Sequence, residues 1–167
     1  MASILNVDSI RNAAGTSALT IDSSGNVNIP GHVVQVVSDT HNRDDGRLLE
    51  TTSTSYVQGS GLSVTITPKF ASSNILIMFT TSIYQNDPNM LCTIFRDGVN
   101  VASSYGLIYR YNETGDWQNA TANWVEPANT TSAITFTVAG RCTGGGTVYM
   151  GGENSYISTL IAMEIAG

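Results

Sequence analysis

The chain has 167 residues, a net charge of −6 and a charged fraction of only 12%. This length suits one domain with a short appendage, and the acidity argues against nucleic acid as a partner, because phosphate binding needs a basic surface. No apolar run of about 18 residues that could span a membrane is present. Ser, Thr, Asn and Gly supply most of the polarity, which favours strands and turns.

Residues 1–31 predict a weak segment that is separate from the rest of the chain. Three short β-like phrases, ILNVDSI, SALTID and NVNIP, alternate apolar and polar residues and are divided by turn-forming residues. The segment holds too few large apolar residues to build its own core. We therefore expect an attachment or shaft segment that is stabilised by pairing or docking. Its first residues lack the basic region and apolar stretch of a signal peptide, which agrees with cytosolic synthesis.

Residues 32–167 predict an all-β head domain. The run NILIMFTTSIY is nearly continuously apolar in its first half, which predicts a strand with both faces covered. Asp97-Gly98 lies between two strand phrases and is a strong hairpin signal. Roughly eight to ten strands and no amphipathic helix favour a β-sandwich of jelly-roll type. The alternating phrases LSVTITP and AITFTVAG predict six inward-facing side chains: Leu62, Val64, Ile66, Ile134, Phe136 and Val138.

A metal-dependent hydrolase is suggested by one motif only. The strand that ends in Asp39-Thr40-His41 resembles the first metal motif of calcineurin-like phosphoesterases, but the two-metal site of those enzymes needs further ligands, and the one other histidine, His32, lies upstream. We expect Asp39 and His41 to end a strand and begin a polar loop. That loop, residues 39–47, is rich in oxygen ligands without EF-hand spacing, which favours a solvated loop over a calcium site.

Other catalytic patterns are missing from the sequence. No nucleophile elbow or phosphate-cradling loop is present, although the 13 acidic residues leave a glycosidase carboxylate pair open. We expect no catalytic residue, no metal and no cofactor. Cys92 and Cys142 lie in predicted strands, where two buried free thiols are favoured over the alternative of a disulfide.

Residues 105–124 are rich in aromatic side chains beside amides and carboxylates. Such a set suits a subunit interface or a core, where Tyr and Trp are enriched, and it also suits glycan recognition by ring stacking and hydrogen bonding. Packing is the favoured interpretation and a glycan site is the alternative. The five aromatic residues concerned are Tyr105, Tyr109, Tyr111, Trp117 and Trp124.

The closing phrase, YISTLIAMEIAG, predicts a very hydrophobic last strand. Its apolar face carries Ile157, Thr159, Ile161, Met163 and Ile165. An exposed terminal strand of this kind would promote aggregation. We therefore expect the strand at the centre of a sheet, with this face in the core or against a neighbouring subunit.

These phrases together resemble marine phage fibre and virion proteins over nearly the whole chain. The resemblance lies in residues 4–10 and 15–31 and, for the body, in residues 52–57, 64–69, 72–79, 94–101 and 158–167. It implies a C1q- or tumour-necrosis-factor-like jelly roll that assembles as a homotrimer around a threefold axis. Unlike long fibres, this chain has almost no shaft.

The resemblance leads us to expect a virion structural protein and not an enzyme. Residues 1–31 would anchor a trimeric short fibre to other virion proteins, and residues 32–167 would form the exposed head. The head would bind a host-surface receptor or glycan from the tail, or decorate the capsid. A soluble C1q-like or lectin-like module is the alternative, and a metal-dependent hydrolase ranks third.

Overall fold

A computed structural model describes residues 7–86, 89–111, 115–151 and 157–167 of the chain. The described part of the chain is all-β, with 59% of its residues in strands. The part of the chain that is described contains no α-helix, and Arg43–Asp45 form a single 3-10 turn. The strands are β1 Ser9–Arg11, β2 Ser17–Ile21, β3 Val27–Asn28, β4 Val33–His41, β5 Leu49–Thr51, β6 Val57–Ile66, β7 Asn74–Gln85, β8 Asn89–Arg96, β9 Val99–Asn100, β10 Ile108–Tyr111, β11 Gln118–Pro127, β12 Ile134–Cys142, β13 Val148–Met150 and β14 Ser158–Ile165.

The first three strands form a small antiparallel sheet of their own, in the order β1-β2-β3. Its second turn is held by Asp22, whose carboxylate accepts the backbone N–H groups of Ser24 and Asn26, as expected of an Asx turn. Ile10 and Val27 are about half exposed, at 51% and 44%. The sheet therefore buries little apolar surface by itself.

The remaining strands form two larger antiparallel sheets. The large sheet has the order β4-β14-β7-β13-β5, and β11 pairs with the opposite edge of β7. The small sheet has the order β10-β8-β12-β6, with β9 paired to β8. The β8–β9 hairpin turns at Asp97 and Gly98, whose φ angles are 48° and 82°, and this confirms the predicted turn.

One core lies between the inner faces of these two sheets. All six side chains predicted to face inward from β6 and β12 are buried there. They meet Ile75, Ile77 and Phe79 of β7 and Leu160 of β14 in a single apolar cluster. Two antiparallel sheets that share one core are consistent with a β-sandwich.

The apolar face of the last strand does not lie in the core, which was one of the two positions predicted for it; the other, a neighbouring subunit, stays a prediction. β14 lies between β4 and β7, as expected, but its buried side chains are Ser158, Leu160, Ala162 and Glu164. The apolar face points outward instead: Ile157 is 57% exposed, and the three residues farther along β14 are only half-buried. Those three are Ile161, Met163 and Ile165.

The prediction that both faces of β7 are covered is only partly confirmed in a single chain. Ile75, Ile77 and Phe79 are buried, whereas Leu76 and Met78 point outward and remain half-buried. The two cysteines, by contrast, agree with the favoured prediction: Cys92 and Cys142 are free and buried, so the disulfide alternative is wrong.

Candidate functional site

The outward face of the large sheet is aligned in four rows across β4, β14, β7 and β11. The strand register places side chains of adjacent strands directly opposite one another, so the members of a row lie on the same face. The rows are Val33, Ile165, Asn74 and Pro127; Val36, Met163, Leu76 and Val125; Ser38, Ile161, Met78 and Asn123; and Thr40, Thr159, Thr80 and Thr121. We call these sixteen residues the outer face.

No residue of the outer face carries a charge, and every one is half-buried or exposed. Its second row is entirely apolar, and Val36 and Val125 at the ends of that row are 52% and 56% exposed. With strands about 4.8 Å apart and rows about 6.7 Å apart, the face covers roughly 500 Å². The largest apolar patch on a typical monomer measures about 300–600 Å² and often has a function, so the apolar part of this face is a candidate interaction surface.

The fourth row gives the outer face a polar end. It consists of four threonines, and the hydroxyls of Thr80 and Thr121 lie 3.3 Å apart. Threonine offers a methyl group and a hydroxyl together, so this row can pack against another surface and also form hydrogen bonds with it. The outer face thus changes from apolar to polar along the strands.

The five aromatic residues singled out in the sequence separate into three places. Tyr105, which precedes β10, and Tyr109 and Tyr111 of β10 form an exposed series, with ring centroids 6.2 Å apart at each step. Trp124 of β11 packs partly against the core, and its indole N–H donates to the Glu126 carboxylate at 2.8 Å. Trp117 joins neither group.

Trp117 belongs to an aromatic cleft that the sequence did not reveal. Its ring lies 5.4 Å from Tyr84, and Tyr84 lies 5.7 Å from Tyr149. The Arg47 guanidinium is 4.2 Å from the centre of the Tyr149 ring, and together with Asn86 these side chains line a cavity of about 300 Å³. The signal was missed because Tyr84 and Tyr149 are 65 residues apart and meet only through the register of β7 and β13.

Asp39 and His41 serve contacts within the fold. The Asp39 carboxylate accepts the backbone N–H groups of Thr40 and Ser63, both at 2.9 Å. The buried His41 ring lies between two carbonyl oxygens, with Nε2 2.9 Å from that of Gly46 and Nδ1 3.3 Å from that of Gly61. Across the described ranges no group of three or more His, Cys, Asp and Glu residues is arranged to hold a metal ion.

Comparisons with known proteins give no family assignment. No model of a protein family matches the sequence, and no curated protein matches it. The described residues also include no helix with the length and hydrophobicity needed to cross a membrane. The resemblance to phage fibres therefore rests on the sequence phrases alone.

Proposed function

We propose that this chain is a structural protein of a phage particle, a trimeric short fibre whose copies bury their outer faces against one another. The observation that carries the proposal is the uncharged outer face itself. An uncharged sheet face of roughly 500 Å² that leaves a row of apolar side chains open to solvent is typical of an interaction site, and apolar side chains are enriched at the centre of subunit interfaces. Cyclic closure lets each copy cover this face of its neighbours without leaving an open edge.

The order of the strands supports the jelly-roll part of the proposal. Eight of the eleven strands in the two sheets form facing layers of four, β4-β14-β7-β11 in one and β6-β12-β8-β10 in the other, and the short β5, β9 and β13 extend them. Along the chain the backbone crosses from one layer to the other at nearly every connection, as in jelly-roll proteins. The sequence resemblance implies the same fold and a threefold axis.

The N-terminal sheet supports a role in anchoring. β1–β3 contribute no residue to the shared core, and the described hydrogen bonds from this segment to the head include Gly31 N–H to Ala166 O and the Asn28 side-chain amide to Gly167 O. A sheet with Ile10 and Val27 half exposed is suited to binding another virion protein. In this proposal the protein resides in the virion after synthesis in the host cytoplasm.

Mass determination in solution tests the assembly. By sedimentation equilibrium the wild-type chain should have a mass of about 53 kDa, three times the 17.7 kDa of one copy. Met163→Lys places an unpaired charge at the centre of the outer face and should yield the 17.7 kDa monomer. The control is Val99→Lys, at a 69% exposed position on the small sheet. A wild-type protein that is monomeric at micromolar concentration would contradict the trimer.

A soluble lectin-like module remains the second candidate function, and the aromatic cleft is the observation that favours it. The two functions differ in the use of residues 1–31. If the protein is a virion fibre, the full-length form should bind purified virions or capsids, and residues 32–167 alone should not. A lectin-like module predicts that neither form binds them.

A further inference from the structure

We propose that the aromatic cleft is a binding site for a neutral hexopyranose unit of a surface glycan. The cleft is lined by Arg47, Tyr84, Asn86, Trp117 and Tyr149. This inference is independent of the oligomeric state and of the virion, because every one of these residues belongs to the same chain. It also places the glycan site elsewhere than the exposed tyrosines of β10.

The three rings are not required by the core. Tyr84 and Tyr149 point outward, opposite each other in the register of β7 and β13, while the inward neighbours Ile83, Val148 and Met150 fill the core with at most 1% exposure. Three half-buried rings on the solvent side of a sheet present aromatic faces to whatever enters the cleft. The negative face of such a ring attracts the C–H groups on the apolar side of a sugar ring.

The polar groups of the cleft favour an uncharged ligand. Arg47 is stacked on Tyr149, and its guanidinium is paired with the Glu50 carboxylate at 2.6 Å. The charge at this edge of the cleft is therefore already balanced, and an anionic sugar would have to compete with Glu50. Guanidinium N–H donors and the Asn86 amide, which both donates and accepts, match the mixed donor and acceptor character of sugar hydroxyls.

The cleft is held in shape before any ligand arrives. The backbone N–H of Asn86 donates to the carbonyl of Thr147 at 2.9 Å, and the N–H of Gly115 donates to the carbonyl of Gln85 at 3.1 Å. These bonds fix the chain at the end of β7 beside the strands that carry the rings. Preorganisation of this kind reduces the entropy lost on binding.

The size of the cleft indicates a small sugar unit. Its volume of about 300 Å³ is at the lower end of the range for small-molecule sites, about 300–1,000 Å³. That space suits a monosaccharide or the terminal unit of an oligosaccharide. By comparison, Tyr105, Tyr109 and Tyr111 are 67%, 48% and 65% exposed and offer stacking without this enclosure.

Titration with simple sugars tests the site. The probes are the methyl glycosides of glucose, galactose and mannose, followed by ligand-detected NMR and by tryptophan fluorescence of the full-length protein. We expect at least one of them to bind. Trp117→Ala should weaken that binding by about tenfold or more, while Trp117→Phe should keep most of it. Arg47→Gln should also weaken it, because the stacked donor is lost.

The control is Tyr109→Ala, which removes a more exposed aromatic ring from the small sheet. Loss of binding in Tyr109→Ala with retention in Trp117→Ala would overturn the cleft in favour of the tyrosine series. Failure of all three neutral glycosides to bind, or binding of N-acetylneuraminic acid alone, would overturn it as well. The mass of each variant is measured in parallel: a monomer that binds sugar contradicts only the trimer, and a trimer that binds none contradicts only the cleft.

Discussion

At the scale of single residues, the buried carboxylate of Glu164 links the last strand to a distant loop. Its Oε1 accepts the backbone N–H groups of Lys69 and Phe70, at 2.8 and 3.0 Å, and the hydroxyl of Ser73 at 2.8 Å. Its Oε2 accepts the Gln35 amide at 2.6 Å. Four donors satisfy the carboxylate, which explains how a fully buried acid is tolerated on the core face.

Replacing Glu164 tests this arrangement. Glu164→Ala leaves four donors without their acceptor, so we expect a loss of about 4 kcal/mol in the free energy of unfolding. Glu164→Gln keeps one oxygen for the backbone donors and should cost about 1–2 kcal/mol. Urea unfolding measures both, with the exposed Glu50→Gln as a control near zero. Equal losses in the Ala and Gln variants would show that hydrogen bonding at this position is not what stabilises the fold.

Because of the Cys92 thiol, the free energy of unfolding should fall as the pH rises into the alkaline range. Burial raises the pKa of Cys92 from its ordinary value of 9.0 to about 12, against an opposing effect of the Arg110 guanidinium. Between these two values the unfolded chain loses the thiol proton while the folded chain keeps it. The contribution of this group is therefore complete below about pH 9 and is lost as the pH rises toward 12, at no more than about 1.4 kcal/mol per pH unit.

Comparison with Cys92→Ala isolates this effect. The variant should be less stable at pH 8 because a buried side chain is shortened. Its stability should then fall less steeply than that of the wild type between pH 9 and pH 11, as measured by urea unfolding. Parallel pH profiles for the two proteins would assign the alkaline loss to other groups.

At the scale of elements, alternation in the sequence predicted inward faces well where the two faces of a strand differ chemically. β6 and β12 alternate apolar residues with Ser and Thr, so only one face of each can enter the core. β14 is different because both of its faces carry apolar residues, Leu160 and Ala162 on one and Ile161 and Met163 on the other. Alternation alone therefore does not show which face enters the core. The hydrogen bonds that allow Glu164 to be buried come from residues more than 90 positions upstream. The residues near Glu164 in the sequence therefore do not predict them.

The aromatic cleft could not be predicted from the sequence for a related reason. Trp117 was singled out from its neighbours along the chain, yet its partners come from β7 and β13. Their meeting depends on strand register, which a single sequence specifies only through the faces it buries. The sequence grouped Trp117 with Tyr105, Tyr109 and Tyr111, whereas its ring lies beside Tyr84 in the structure.

Removal of the N-terminal sheet should leave the head intact. Because β1–β3 add nothing to the shared core, residues 32–167 are expected to unfold within about 3 °C of the full-length protein, a shift that corresponds to about 1 kcal/mol in a domain of this size. Differential scanning calorimetry at matched chain concentration measures both midpoints. A fall of 10 °C or so would show that the N-terminal segment is an integral part of the fold.

At the scale of the whole molecule, the two sides of the large sheet have different environments. The inner side closes the core with the small sheet, and the outer side carries sixteen uncharged residues in register. A single chain leaves Val36, Val125 and the half-buried Met163 in contact with water. Assembly of copies through this face would extend the burial of apolar surface beyond what one chain achieves.

Such an assembly predicts that thermal stability depends on protein concentration. Copies that bind the folded state stabilise it by mass action, so the midpoint should rise by several degrees between about 1 and 100 µM chain. Because the outer face lacks charges, raising NaCl from about 0.1 to 1 M should not weaken the association, unlike an interface held by ion pairs. Met163→Lys should abolish the concentration dependence, whereas Val99→Lys should preserve it. A wild-type midpoint that is constant over this range would mean that the outer face remains exposed to solvent in the native protein.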